Sequence, residues 1–263
     1  VDEYVPLSRA AGGTITTQFT MSTLEELGLL KMDFLGLRTL TVIQNAVNMV
    51  RRKQPDLNME KIDYNDQKVM NYIGTGKTDG IFQLESAGMK NFMKELKPHS
   101  LEDIIAGISL YRPGPMDFIP QYIKGKNDAS SITYDCPQLK PILEPTYGCI
   151  VYQEQVMQIV RDLAGYTLGR SDLLRRAMSK KKGDVMKKER QIFVYGDPET
   201  NVPGCIKNGI NEKTANKIYD EMIDFAKYAF NKSHAAAYAV VAYQTAWLKY
   251  YYPVEFMAAL MTS

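Results

Sequence analysis

Residues 29–37 read Leu-Leu-Lys-Met-Asp-Phe-Leu-Gly-Leu, and we expect the rest of the chain to be organised around this stretch. The run is mostly apolar, is bounded by turn residues and is too short for an independent helix, which is typical of a buried β-strand. Because side chains alternate across a strand, Lys31, Asp33 and Leu35 would share one face and the apolar residues between them the other. The stretch therefore predicts a lysine and an aspartate side by side on a mostly buried strand.

Two explanations of this pair follow from the residues alone. A buried charge is costly unless it is paired, so one explanation is a Lys31–Asp33 ion pair at the end of a strand. The other is an Asp33 carboxylate that binds a metal ion, with Lys31 beside it neutralising phosphate oxygens. What the remaining chain brings to that face decides between the two.

The composition indicates an ordinary globular protein with one large domain or two modest ones. The chain has 263 residues, of which 45% are hydrophobic and 24% charged, so a sizeable core is expected. The formal net charge is only +2. A surface that binds nucleic acid would therefore have to come from local clustering of basic residues.

Cysteines, histidines and the longest apolar tract exclude several classes of protein. Cys136, Cys149 and Cys205 are widely spaced and form no CxxC pair, which indicates reduced thiols in a cytoplasmic protein, neither a disulfide framework nor a zinc site. Only two histidines are available as imidazole ligands. The tract at 235–248 is too short to span a bilayer, and no secretory leader opens the chain. Because the chain lacks an initiator Met, we expect a piece of a longer protein.

Hydrophobic periodicity and capping residues predict that the chain is mainly helical after its first forty residues. Strand-like alternation is confined to 14–19, and a capping box at Ser22 or Thr23 predicts a short helix before residue 29. Residues 195–210 are rich in Gly and Pro and predict a surface insertion. The helix at 235–250 is apolar nearly all round, so we expect it at the centre of the core. The other helices are expected at 40–53, 66–73, 86–96, 101–110, 152–163, 169–182 and 211–228.

The helix at 169–182 opens the most basic segment of the chain. Between Arg170 and Arg190 there are nine Lys or Arg against three Asp or Glu. At about 100° per residue, one half of the helix is apolar and the other basic. The apolar half contains Leu173, Leu174, Ala177 and Met178, and the basic half contains Arg175, Arg176, Ser179 and Lys180. A solvated basic face is one explanation, and a site for an oxygen-rich anion, bound by forked arginine donors, is the other.

A histidine stands just before the most apolar helix, in the sequence Asn231-Lys232-Ser233-His234. One explanation is that His234 is a capping residue of that helix. The alternative is that it contacts a phosphate or a sugar together with Lys232 and Ser233.

Seven blocks of sequence resemble the family of bacterial DNA polymerase III alpha subunits, in order along nearly the whole chain. They are KMDFLGLRTL (31–40), GIFQLES (80–86), YRPGPM (111–116), YQEQVM (152–157), GYTLG (165–169), LRRAM (174–178) and FNKSH (230–234). The resemblance implies an α+β, mainly α-helical fold. Residues 1–38 would be the C-terminal part of a polymerase palm, and 39–263 a large helical fingers domain.

The resemblance also implies roles for individual residues. In this family three palm aspartates hold two Mg²⁺ ions for attack of the primer 3′-hydroxyl on the α-phosphate. Asp33 matches the third aspartate, and Lys31 matches a palm lysine next to the reacting phosphates. The positions that match the surroundings of the incoming nucleotide are Arg175, Arg176 and His234, and we add Lys180 from the same basic face.

Two hypotheses for function result. The first is that the chain is part of a replicative DNA-directed DNA polymerase, which acts on primer–template DNA and dNTPs. The polymerase would contact a sliding clamp and other replicase subunits through parts absent from this chain. The second is a basic helical module that binds nucleotide or DNA without chemistry. The family's upstream Asp-x-Asp motif is not found here, so we expect the isolated chain to be inactive and not to assemble the two-Mg²⁺ site.

Overall fold

The computed structural model describes residues 1–32, 34–179, 183–226, 228 and 230–263. Two of the residues singled out by the sequence, Asp33 and Lys180, lie outside these ranges. The chain divides into two compact units, Val1–Arg38 and Thr39–Ser263, which we call unit 1 and unit 2. Each is described by itself.

Unit 1 contains a small antiparallel sheet and one short helix. Strand β1 (Leu7–Arg9) pairs with strand β2 (Ile15–Thr17), with Ser8 opposite Thr16. Helix α1 (Met21–Glu26) follows. The strand-like alternation and the short helix are thus confirmed. The predicted capping box is wrong, because the helix begins one residue after Thr20, whose side chain makes no capping hydrogen bond.

The strand predicted for residues 29–37 is wrong for the residues that the structure describes. These residues follow an irregular path, and three of their apolar side chains are 81–92% exposed: Leu30, Phe34 and Leu35. A strand needs a neighbour to pair its backbone groups. In the described part of unit 1, β1 and β2 pair with each other. Apolar composition alone therefore did not place this run in a sheet.

Unit 2 is helical. Its helices, in chain order, are α2 (Arg38–Arg51, whose first residue belongs to unit 1), α3 (Gln67–Gly74), α4 (Ala87–Leu96), α5 (Leu101–Leu110), α6 (Ile119–Asn127), α7 (Lys140–Leu143), α8 (Gln153–Ala164), α9 (Leu168–Ser179), α10 (Gly183–Tyr195), α11 (Gly204–Lys207), α12 (Glu212–Ala226), α13 (Lys232–Tyr251) and α14 (Pro253–Thr262). Together with the β1–β2 sheet, these helices confirm a mainly α-helical fold with a small β part. Of the described helices, none is long and apolar enough to cross a bilayer.

Helix α13 runs through the centre of a first core, as its apolar sequence predicts. Its buried side chains include Ala235, Ala239 and Ala242, and the small size of alanine lets α5 pack along it. Helices α3, α4 and α6 also contribute to this core, and the C-terminal part of α13 packs against α2 and α14. The N-terminus of α13 is therefore fixed by a long buried helix behind it.

A second core lies among helices α7 to α12. Helix α8 contributes one buried stripe that includes Val156, Ile159 and Leu163, and α9 contributes Leu174 and Met178. This packing fixes α8 and α9 against each other. It therefore also fixes the side chains at the N-terminus of α8 and on the exposed face of α9.

The surface insertion predicted for 195–210 is wrong. The segment contains helix α11 and buries Val202, Cys205 and Ile210 in the second core. Its Gly and Pro residues make the turns between these apolar contacts rather than a detached loop. All three cysteines are buried free thiols, and burial raises the pKa of Cys149 and Cys205 to about 12.

Candidate functional site

One carboxylate binds two arginines on helix α9. Arg175 donates to Asp172 Oδ1 from Nε at 3.0 Å and from Nη2 at 2.8 Å. Arg176 Nε lies 2.8 Å from Asp172 Oδ2. Residues three and four apart share one face of a helix, which is why a single aspartate reaches both. The hydrogen bond from Arg175, and then the two positive charges, hold the pKa of Asp172 below its ordinary value.

The two arginines differ in exposure. The Arg175 side chain is 18% exposed and the Arg176 side chain 63%. Leu174 is buried as predicted, but Leu173, assigned to the same apolar half, is 66% exposed. The buried face of α9 is therefore narrower than the sequence indicates, because the second core takes up residues one turn apart at 174 and 178 and leaves 173 outside.

Part of the basic segment serves the fold. Arg170 Nη2 lies 3.1 Å from Glu189 Oε1, and its guanidinium lies over the Tyr166 ring. Arg190 pairs with Asp220. These two arginines tie the elements of the second core to one another, so the charge count of the segment overstates what is available to a ligand.

Gln153, the first residue of α8, reaches Arg175 from the other side. Arg175 Nη1 donates to Gln153 Oε1 at 3.2 Å. The backbone N–H of Gln153 donates to the Phe230 carbonyl at 3.0 Å, in a short parallel bridge between Tyr152 and Phe230. The contact places Arg175 next to the segment that leads into α13.

His234 lies in the first turn of α13 and is exposed. Its ring lies 4.2 Å from the ring of Tyr238 and 5.3 Å, edge to face, from that of Phe230, measured between centroids. The capping residue is Asn231, whose side chain accepts a hydrogen bond from the His234 backbone N–H at 2.9 Å. The capping explanation for the His234 side chain is therefore wrong.

Glu154 holds the N-terminus of α13. Both of its carboxylate oxygens accept from the backbone N–H of Lys232 at 3.1 Å, and Oε1 also accepts from Asn231 Nδ2 at 3.2 Å. An anion is favourable at this position because the first N–H groups of a helix have no partner within the helix. Lys232 in turn lies 3.0 Å from Glu102 and over the Tyr152 ring.

Arg112 is a further cation next to Phe230. Its guanidinium lies 3.9 Å from the centroid of the Phe230 ring, and Nη2 donates to the Tyr228 carbonyl at 2.9 Å. Burial lowers the pKa of Arg112 from its ordinary value. Sequence reasoning did not select Arg112 as a site residue, although it belongs to the YRPGPM block.

Contacts through Gln153 and Phe230 connect Arg175 to His234, and Asp172 connects Arg175 to Arg176. We call this connected set of residues the corner. Lys31 lies in unit 1, exposed and outside any strand or helix. Four residues of this site were not identified from the sequence: Asp172, Gln153, Glu154 and Arg112. Gln153 and Glu154 belong to the YQEQVM block, which is the signal that could have identified them.

Guanidinium groups have forked donors that match the oxygens of phosphate and carboxylate. The corner contains the guanidiniums of Arg175 and Arg176 and the exposed imidazole of His234. Metal binding is a different matter. Within the described residues, no group of three or more His, Cys, Asp and Glu side chains could hold an ion.

Comparison with known proteins identifies two matching family models. The one described as the bacterial DNA polymerase III alpha subunit finger domain matches residues 39–201. The one described as the bacterial DNA polymerase III alpha NTPase domain matches residues 1–36. These matches confirm the resemblance drawn from the sequence blocks.

Individual relatives agree. The chain is 49% identical over 262 residues to DNA polymerase III subunit alpha of Borreliella burgdorferi, covering 99% of this chain and 22% of that protein. The Bacillus subtilis protein of the same name is 47% identical, with 99% and 23% covered. That of Escherichia coli is 49% identical over 259 residues, with 94% and 22% covered. The chain therefore spans about a fifth of the length of the curated relatives it matches.

Proposed function

Because the chain belongs to the family of bacterial DNA polymerase III alpha subunits, we propose that it is the part of a replicative DNA polymerase that binds the incoming dNTP. In the complete enzyme, nucleotidyl transfer to a primer 3′-hydroxyl would take place on primer–template DNA. The observation that carries the proposal is the corner formed by Arg175, Arg176 and His234.

Arg175 and Arg176 would bind triphosphate oxygens. A guanidinium has five N–H donors, so one shared aspartate cannot satisfy two of them. Each forked contact to a phosphate contributes on the order of 1.5–3 kcal/mol. His234 would contact a phosphate or the sugar from the neighbouring helix. Lys180, which follows α9, is assigned to the same group of phosphate ligands.

Residues 1–38 would be the end of the palm and 39–263 the fingers. The extents of the two family models, 1–36 and 39–201, and the boundary between the compact units at residue 38 support this assignment. Asp33 would be a metal ligand, and Lys31 would neutralise the reacting phosphates.

DNA polymerases usually need metal ions, and we assign Mg²⁺ here. When bound, Mg²⁺ would supply charge stabilisation at the transferring phosphoryl group. The described residues do not provide a donor set for it, and Asp33 lies outside them, so no step is assigned through the metal.

The relatives' names imply DNA and nucleotides as partners. We propose that the complete protein also contacts other replicase subunits, including a sliding clamp, through parts beyond this chain. The site of action would be the bacterial cytoplasm, where the chromosome is copied.

A second candidate function is the binding of nucleotide or DNA by a helical module that catalyses no reaction. The exposed Arg176 and the excess of basic residues at 170–190 favour it for the isolated chain. Primer extension by the isolated chain would exclude this alternative.

The experiment that tests the proposed polymerase role is primer extension by the full-length protein carrying Asp33→Asn. We expect turnover to fall by orders of magnitude while the protein stays folded, since an amide is a poor substitute for a metal-binding carboxylate. The matched control is Asp56→Asn on the exposed surface of unit 2, which should extend primers at the wild-type rate. Near-wild-type extension by folded Asp33→Asn enzyme would contradict the assignment.

A further inference from the structure

Gln153 and Glu154 are neighbours at the start of α8, and their side chains bind different parts of the candidate site. Gln153 Oε1 accepts from Arg175 Nη1 at 3.2 Å. Glu154 accepts from the backbone N–H of Lys232, in the helix that carries His234. Two consecutive residues thus contact both halves of the corner.

The two halves belong to different cores. Arg175 lies on α9, which packs in the second core through Leu174 and Met178. His234 lies on α13, which is buried in the first core through residues such as Ala235 and Ala239. Without a direct link, the spacing of the two halves would depend on how the two cores pack together.

The link is continuous and is made of hydrogen bonds. Beside the two side-chain contacts, the backbone N–H of Gln153 donates to the Phe230 carbonyl at 3.0 Å, and the Phe230 ring contacts His234. A phosphate ligand misplaced by about 1 Å loses much of its effect, so a fixed spacing matters for a triphosphate site.

We propose that Gln153 and Glu154 are positioning residues that hold Arg175 and the N-terminus of α13 as one dNTP-binding unit. The proposal rests on the proposed function, because it assigns Arg175 and His234 to the nucleotide. Neither residue needs to touch the substrate. Gln153 fixes the direction of the Arg175 guanidinium, and Glu154 fixes the first turn of the helix on which His234 stands.

A neighbour on the same helix shows what a purely structural glutamine looks like. Gln155 is buried: its Oε1 accepts from the backbone N–H groups of Val151 and Tyr152, and its Nε2 donates to the Ile142 carbonyl and the Thr146 hydroxyl. These contacts tie α8 to α7 and to the turn between them, and none of them reaches α9 or α13. Gln153 and Glu154 differ because their partners lie on α9 and α13.

The test is single-nucleotide incorporation by the full-length polymerase, with KM for dNTP and kcat measured separately. Gln153→Met keeps the size of the side chain and removes its carbonyl oxygen. We expect KM to rise about 3- to 10-fold, the size of one ordinary hydrogen bond, because Arg175 is misdirected but still present, with the melting temperature near that of wild type. Gln158→Met, five positions along the same helix, is the matched control and should leave KM unchanged.

A double-mutant cycle separates positioning from general stabilisation. If Gln153 acts through Arg175, Gln153→Met should raise KM in the wild-type background and add nothing in an Arg175→Ala background. An equal, additive effect in both backgrounds would overturn the proposal. If Arg175→Ala itself leaves KM unchanged, the assignment of Arg175 to the nucleotide fails, and with it the proposed function of this corner.

Glu154 is tested by rescue. Glu154→Ala leaves the Lys232 N–H without its acceptor and should raise KM several-fold. Glu154→Gln keeps an oxygen acceptor and should restore a KM near wild type. An alanine variant with wild-type KM, or a glutamine variant as impaired as the alanine variant, would overturn the role given to this hydrogen bond.

Discussion

Two groups of oppositely charged side chains have similar chemistry and very different surroundings. They are Asp103 with Lys126, and Asp172 with Arg175 and Arg176. In the first, the two side chains are 4% and 6% exposed, and Lys126 Nζ lies 2.7 Å from Asp103 Oδ2. In the second, the aspartate is 28% exposed and one arginine 63%. We call the first group the sealed pair, because both side chains are buried, and the second the open group, because it is exposed to solvent.

The sealed pair has further partners inside the protein. Lys126 Nζ also donates to the Lys97 carbonyl at 3.0 Å. Asp103 also accepts from the His99 backbone N–H at 2.8 Å and from the Tyr147 hydroxyl at 3.5 Å. The pair joins the start of α5 to the end of α6. A buried ion pair surrounded by hydrogen bonds in this way serves the fold.

The open group has more hydrogen-bond donors than acceptors. One carboxylate faces two guanidiniums, so the group keeps a net positive charge and N–H donors that a phosphate can use. The comparison shows that pairing alone does not distinguish a structural charge from a ligand-binding one. The ratio of donors to acceptors and the access of solvent distinguish them.

The largest expected effect breaks the sealed pair. Asp103→Ala leaves Lys126 buried without its partner and should lower the free energy of unfolding by about 3–5 kcal/mol. Asp172→Ala removes the matching aspartate of the open group and should cost roughly 0–1 kcal/mol. Urea unfolding of the two variants measures both. Equal losses would contradict the distinction between the two groups.

The second effect concerns salt. If the open group attracts nucleic acid by its charge, the affinity of the chain for a labelled primer–template should fall steeply between low and moderate salt. Arg176→Ala should lower the slope of log affinity against log salt by about 1.

The control for this titration is Arg161, an exposed arginine on α8 that is also paired with a neighbouring aspartate, Asp162. Arg161→Ala should leave the slope as it is in wild type. Salt-insensitive binding by the wild-type chain would contradict the electrostatic role of the basic segment.

The contrast between local and distant contacts also explains what the sequence could predict. Asp66, Ser86 and Ser100 cap helices α3, α4 and α5 within a few residues of themselves, and periodicity and capping rules predict those helix starts well. The apolar stripes of α8 and α12 follow from spacing in the same way. Arg175 and Arg176 were also found, since a cluster of basic residues on one helix is a local pattern.

The rest of the site depends on contacts that spacing does not encode. Gln153 lies 22 residues before Arg175, and Glu154 lies 78 before Lys232. The first pair meets because α8 and α9 pack together in the second core, and the second pair meets because α8 and α13 lie next to each other where the two cores meet. The strand predicted at 29–37 was wrong for a related reason, because a strand depends on a neighbouring strand as well as on its own sequence.

The smallest effect concerns acid. The hydrogen bond from Arg175 lowers the pKa of Asp172 in the folded protein. The Asp172 carboxylate therefore adds stability at pH values above its pKa in the unfolded chain, which is near 3.8. That stability is lost as pH falls through the lowered value. Wild type should therefore exceed Asp172→Asn in unfolding free energy by roughly 0–1 kcal/mol near neutral pH, and the difference should shrink below about pH 4. Unfolding curves of both proteins across this range measure it, and a difference that grows on acidification would contradict the sign.

The measurement that tests the nucleotide site most directly compares KM for dNTP with the melting temperature in the full-length polymerase carrying Arg175→Ala or Arg176→Ala. We predict that KM rises at least several-fold for each variant, because a forked contact to the triphosphate is lost. The melting temperature should change little, because both arginines share one partly exposed aspartate. A melting temperature that falls sharply while KM stays constant would make the arginines structural and would contradict the assignment.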